Sequence, residues 1–386
     1  MYRAISADSH VDLVWLPSKL FVENCTTHLR DRMPYVIESD EGRKWVTNAG
    51  AKLGFENGVG SGGLPYKKGW SKHVDRMAEK GLFEDGKNGI KRCTDPVLRV
   101  QDQDLDGISG EVLYGILGAS KRLQDDIAVI EVMRIYNEWL ADFCEKFPQR
   151  FAGLASIPSG TPEAAIAEVR RVIRRGSLRG LDIAGGESSL PFFHPAWGEF
   201  WDLIDEAKLP VHFHTIGVVL REVEGLSVLG KEQVRAVAVA GGQFQRAAIL
   251  LSDLILGGIC ESHPNVKFVL GEAGLGWIPY MLERMDWVWE DQCRKTLTLT
   301  QRPSDYWRRQ CFASYQSELI GTKLLSDIGV GNVMWASDFP HADGVWPDSQ
   351  EFIRSQLGHL DSQDRDRVIY RNAAELYGFP VESRSN

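Results

Sequence analysis

A chain of 386 residues, 43% hydrophobic and 10% aromatic, can bury a sizeable core, which excludes a disordered or low-complexity protein. Its formal net charge of −9 excludes a general nucleic-acid binder, because phosphate contacts need clustered Lys and Arg. Six cysteines, at 25, 93, 144, 260, 293 and 311, stand apart without a Cys-x-x-Cys pair and read as buried thiols in a reducing compartment.

The start, MYRAISADSHVDL, has neither the basic region nor the apolar run of a secretory signal, and no uncharged apolar stretch reaches membrane-spanning length. The expectation is a soluble cytoplasmic protein with no membrane association. Ala4–His10 reads as a first strand. Residues 16–96 then break any regular rhythm, with glycines clustered in NGVGSGGLPYKKG, and form an insertion after strand one. Such a segment leaves a barrel at its C-terminal rim, as a candidate lid or oligomer contact.

Further strands are predicted at Glu111–Gly115, Phe151–Ile157, Gly180–Ala184, Val211–Thr215, Val266–Glu272, Gln310–Ser314 and Val333–Asp338. They alternate with helical spacing at Asp126–Phe147, Pro162–Arg175, Pro195–Ala207, Gln243–Ser262, Trp277–Glu290 and Glu318–Ile328. Eight strands in a βα rhythm point to α/β architecture, a (β/α)8 TIM barrel formed by residues 1–386 as one domain.

The chemistry gathers at strand ends. Asp8 and His10 are alternate residues at the end of strand one and share a face. His212 and His214 repeat that spacing in strand five. His214, nearer the rim, is the candidate ligand, and His212 is either its supporting neighbour or a core histidine. Asp338 closes strand eight after apolar residues, where a carboxylate is costly unless paired or metal-bound. Glu272 ends strand six as a ligand, a general base, or the partner of an Arg such as Arg284. His341 is placed to orient Asp338, to reach substrate, or to serve structure alone. Trp15, Trp277 and Trp346 are candidate pocket aromatics, with Trp277 read as ordinary packing and Trp346 as a stacking surface for substrate.

Seven stretches in order, ISADSH, YNEWLADFCEKFPQRFAGLASIP, VHFHT, HPNVKFVLGEAG, WIPYMLERMD, WASDFPH and NAAELYGF, resemble the amidohydrolase-2 family of the amidohydrolase superfamily. That group includes aminocarboxymuconate-semialdehyde decarboxylase and related aromatic-acid decarboxylases and hydrolases. The resemblance implies one divalent metal ion, Zn²⁺ with Mn²⁺ as the alternative, held by Asp8, His10, His214 and Asp338. It also implies a homodimer or higher homo-oligomer. Two departures stand out. The family's first-strand motif is commonly His-x-His or Glu-x-His, so Asp8 is a shorter carboxylate, and decarboxylase members usually carry a histidine where this chain has Glu272.

The catalytic set is therefore Asp338, Glu272 and His214. A carboxylate at 272 suits base-assisted attack of water activated at the metal. The leading expectation is thus a hydrolase of a small cyclic or aromatic amide, ester, lactone or activated carbon–carbon bond. The alternative is a non-oxidative decarboxylase of an aromatic or unsaturated acid, since a protonated Glu272 can donate a proton. A non-catalytic ligand-binding barrel is the lesser alternative, disfavoured by four metal-type residues at strand ends.

Overall fold

The computed structural model describes residues 2–184, 190–214 and 227–381, and for residues 228, 229, 231, 232, 235, 238, 239, 242 and 243 the backbone alone. Eight strands form one parallel sheet in chain order: β1 Ala4–His10, β2 Ile108–Tyr114, β3 Phe151–Ile157, β4 Gly180–Ile183, β5 Val211–His214, β6 Phe268–Gly271, β7 Cys311–Tyr315 and β8 Val333–Trp335. Beyond the end of β8, two backbone bonds close the seam with β1. Asp338 N–H donates to the Asp8 carbonyl at 2.9 Å, and His10 N–H donates to the Phe339 carbonyl at 2.7 Å. The predicted TIM barrel is the observed fold.

Burial on both faces explains why the strands are runs such as FAGLASI and FVLG, with every residue buried. The polar strand β1, AISADSH, is equally buried. Its polar groups are satisfied locally, with Ser6 Oγ donating to the Asp8 carbonyl at 2.7 Å and accepting from Ser337 N–H at 2.9 Å. The register of β1 against β2 carries one extra residue between Ser6 and Ser9. Such a bulge turns the strand locally, here around Asp8 and just before His10.

The helices cover the outside, and several start on side-chain caps. Asp125 accepts from Ala128 N–H and Thr161 from Ala164 N–H. Observed and predicted boundaries agree within a few residues, with one larger exception. The helix expected from Gln243 begins at Val228 and ends at Leu256, before a separate turn at Ile259–Ser262. Thr215, expected in strand five, lies outside the described residues. No described helix is long and apolar enough to cross a membrane.

The insertion is structured. Tyr35–Ile37, Lys44–Val46 and Lys52–Phe55 make an antiparallel sheet, followed by helices Lys72–Glu79 and Leu82–Lys87. Trp45, Leu53, Met77 and Leu82 are buried in the same hydrophobic cluster as the barrel residues. The glycine run serves close packing. Gly54 and Gly63 both have positive φ, and a Cβ on Gly63 would come within 2.6 Å of Val14 Cγ1. At the insertion's end Asp95 caps the helix Pro96–Asp106, which returns the chain to β2.

Candidate metal centre

Four strands bring their C-terminal ends, or the residues just beyond, to one point inside the barrel mouth. β1 supplies Asp8 and His10, β5 ends on His214, Glu272 follows β6, and Asp338 follows β8. His10 Nε2 lies 3.2 Å from Asp8 Oδ1 and 3.1 Å from Asp338 Oδ1. His214 Nε2 lies 3.7 Å from Asp8 Oδ2 and 3.5 Å from Glu272 Oε2. Donor atoms of Asp8, His10 and His214 all fall within 4.8 Å of one another, and His10 is shared with a second such group containing Asp338 and His341.

These atoms face one another's charges without well-formed hydrogen bonds. Asp8 Oδ1, His10 Nε2, His214 Nε2 and both carboxylate oxygens of Asp338 are buried without a hydrogen bond. Native interiors rarely leave such groups unmatched. Two imidazole nitrogens and two carboxylates converging on a buried point form a donor set that fits a divalent cation of the Zn²⁺ or Mn²⁺ kind. Glu272 and Asp338 both hold positive φ, 51° and 54°. Non-glycine residues adopt that conformation at a cost, and such strain concentrates at functional sites.

Electrostatics tell the same story. Burial opposes charge at Asp8 and Asp338, but the neighbouring histidines outweigh it and hold both carboxyls below the usual range. Burial and His341 pull His10 down, yet Asp338 and Asp8 prevail and raise it to about 9. Glu272 moves the other way. Burial first, then the charges of Asp343, Asp338 and Asp8, push its carboxyl well above the ordinary value. A divalent ion held here would relieve that crowding of negative charge and displace the imidazole proton.

Glu272 also borders a cavity of about 480 Å³, lined in addition by Trp277, Ser317, Glu318, Ile320 and Asp343. The Arg284 guanidinium sits 4.7 Å from the Trp287 ring centroid.

The other candidates divide. His341 joins the site, stacked on His10 with centroids 3.7 Å apart, its Nδ1 3.3 Å from Asp338 and its Nε2 2.9 Å from Asp12. His212 is buried in the core below His214. Its Nδ1 meets Tyr114 Oη at 2.7 Å and its Nε2 meets Tyr377 Oη at 3.3 Å, while burial lowers it to about 3 and keeps it neutral. Trp346, expected as a stacking surface, is packed into the interior. It is 2% exposed, packs on Phe339 at 4.7 Å and donates its indole N–H to the Asp102 carbonyl. Trp15 is likewise buried, whereas Trp277, read as packing, lines the cavity.

The sequence reading missed Asp12 and Asp343. Asp12 had a signal, because Asp8, His10 and Asp12 continue one alternation; Asp343 had none, since only the chain's return after β8 brings it to Glu272.

Residues 109–379, more than half of the chain, match the family described as amidohydrolase. The chain belongs to the amidohydrolase family. Among curated relatives, gamma-resorcylate decarboxylase of Rhodococcus jostii (strain RHA1) is 27% identical over 272 residues, 64% of this chain and 77% of that protein. Among solved structures, an amidohydrolase from Mycobacterium avium subsp. paratuberculosis K-10 superposes with a TM-score of 0.75 at 18% identity, covering 99% of each chain. A dihydroxybenzoic acid decarboxylase from Polaromonas sp. JS666, solved with manganese and 2-nitroresorcinol, gives a TM-score of 0.61 at 21% identity, covering 80% of this chain and 94% of that one.

Proposed function

We propose that this amidohydrolase-family enzyme is a divalent-metal-dependent carboxy-lyase, removing CO₂ without an oxidant from an aromatic or unsaturated carboxylic acid. The observation that carries the reading is the match to decarboxylases of dihydroxylated benzoic acids, joined to a buried donor set of the kind a cation needs. The curated relative named above is a decarboxylase, which favours this reading over the hydrolase expectation.

Asp8, His10, His214 and Asp338 would hold the ion, and manganese in the Polaromonas relative favours Mn²⁺ beside Zn²⁺. When bound, the ion supplies positive charge that holds an acidic substrate and stabilises negative charge developing on it. Trp277 offers a flat face at the cavity wall for an aromatic ring. Glu272, between ligands and cavity, is the proton-delivery residue. As the carbon–carboxylate bond breaks, its electron pair stays on the ring carbon, which takes the proton of the Glu272 carboxyl. CO₂ departs, and solvent returns a proton to Glu272.

A carboxylate at 272 in place of the decarboxylases' usual histidine favours hydrolysis as the second reading. One experiment separates them. Metal-loaded protein is turned over on a panel of hydroxylated benzoic acids and of aromatic esters, amides and lactones, in D₂O and in ¹⁸O-labelled water. The carboxy-lyase places deuterium on the carbon that lost CO₂ and no ¹⁸O in the product; ¹⁸O in a product acid, with no CO₂, would overturn it. Glu272→Gln should lower turnover on the order of 10²- to 10⁴-fold with the metal retained.

We propose further that the chain self-associates. Tyr280, Trp287, Leu319 and Ile320, on the helices Ile278–Val288 and Leu319–Lys323, each expose half or more of their surface. Exposed large apolar side chains on neighbouring elements are typical of association surfaces.

A further inference from the structure

Arg99 sits in the helix Pro96–Asp106, between the insertion and β2, and its side chain is wholly buried. All its donor directions are used. Nε and Nη2 grip Glu111 of β2 at 2.8 and 3.0 Å, Nη1 reaches the His10 carbonyl at 3.0 Å and the Cys93 carbonyl at 3.5 Å, and Nη2 reaches the Phe339 carbonyl at 3.4 Å. The guanidinium also lies 4.6 Å from the centroid of the Phe339 ring, and Gln103 donates to the same Glu111 carboxylate at 2.7 Å.

The two barrel carbonyls it holds have a particular location. One belongs to His10. The other belongs to Phe339, next to Asp338, and accepts the His10 N–H that helps close the β1–β8 seam. A planar fork with five fixed donors can bridge such a set, whereas an ammonium cannot. Burying this charge without benefit would be costly, and a buried ion pair is weak evidence of stability for its own sake.

We infer that Arg99, anchored by Glu111, is a positioning residue for the metal centre: it staples the backbone of His10 to that of Phe339 across the barrel seam and so fixes the ligands on either side. It ties the insertion to the site through Cys93. The inference rests on the ligand assignment above, and its test separates the two.

The probe is Mn²⁺ alone, titrated into metal-stripped protein, beside hydrogen exchange of the His10 and Asp338 amides in the same metal-free protein. Arg99→Met with Glu111→Met removes both charges and keeps the volume, so no lone buried charge remains to unfold the chain. This double variant should melt cooperatively, bind Mn²⁺ about 10- to 100-fold more weakly, and exchange both amides faster than wild type. Arg99→Lys, which keeps the charge and can make fewer of the bonds, should fall between the two.

The control is Asn332→Ala. Its side chain bonds the Trp307, Arg308 and Cys311 carbonyls just before β8, at the opposite end of the barrel. It should destabilise the fold and leave Mn²⁺ affinity unchanged. Unaltered Mn²⁺ affinity and amide exchange in both Arg99 variants would overturn the role of Arg99 alone. So would weakening by Asn332→Ala equal to that of the Arg99 variants. Failure of wild type to bind Mn²⁺ would overturn the ligand assignment with it.

Discussion

Stripping the divalent cation should lower the melting temperature by an amount that the site and the chain length set together. Five buried donor atoms have no hydrogen-bond partner among the described residues, so a bound ion is held by the folded state and by little in the unfolded one. At a free concentration a thousand times the dissociation constant, such an ion stabilises the fold by about 4 kcal/mol. Unfolding entropy is roughly 2.1 cal/mol/K per residue, or about 0.8 kcal/mol/K for a chain of this length, so the shift should be about 5 °C. Each further tenfold of free ion adds about 1.4 kcal/mol, a little under 2 °C. Differential scanning fluorimetry across a Mn²⁺ series, buffered by chelator, reads this directly. His214→Ala should abolish the dependence. Coincident melting curves for stripped and Mn²⁺-loaded wild type would refute the ligand assignment, whatever the activity.

Glu131 accepts from Thr26 N–H and Oγ and from the Arg134 guanidinium, first among the causes that hold it down at about 2. A depressed folded value stabilises above the unfolded one and is lost as pH falls through the folded one. Glu131→Gln should therefore cost about 1–3 kcal/mol at pH 7, with the gap closing between pH 4.5 and 2 in urea melts. Trp346→Phe should lower stability by about 1–2 kcal/mol through the lost Asp102 bond and packing, without a change in KM; a large rise in KM would put the ring back in the substrate site. Light scattering over a concentration series should show a dimer or larger, and Trp287→Glu or Tyr280→Glu should shift it towards monomer.

The barrel was legible because most of its strands are apolar runs between helical patterns, and because ligand-type residues recur at the strand ends. Asp8 and His10 were legible from alternation alone, and the fold reproduces their pairing despite the bulge around Asp8. His212 and His214 show the limit. Both obey the same alternation, and only Tyr114 and Tyr377, distant in the chain, show that the deeper ring is held by tyrosines at both nitrogens. Glu272 gave the reaction type its direction in the sequence, since a carboxylate near a metal reads as a base for water. Its ring of acidic neighbours includes Asp343, brought in by the turn after β8, and no local pattern announces that. The small antiparallel sheet was invisible for another reason: strands of three or four residues are too short for periodicity to register.

The seam between β1 and β8 places the carboxylates of position 8 and position 338 side by side. Closing a loop of that length is among the slower and later acts of folding, because its entropy must be met before any contact across it forms. A chain emerging from the ribosome holds Asp8 and His10 long before Asp338 exists. On the proposed ligand assignment, an ion would have no complete cage until the last strand has been made and docked, and its capture would mark the completion of the barrel.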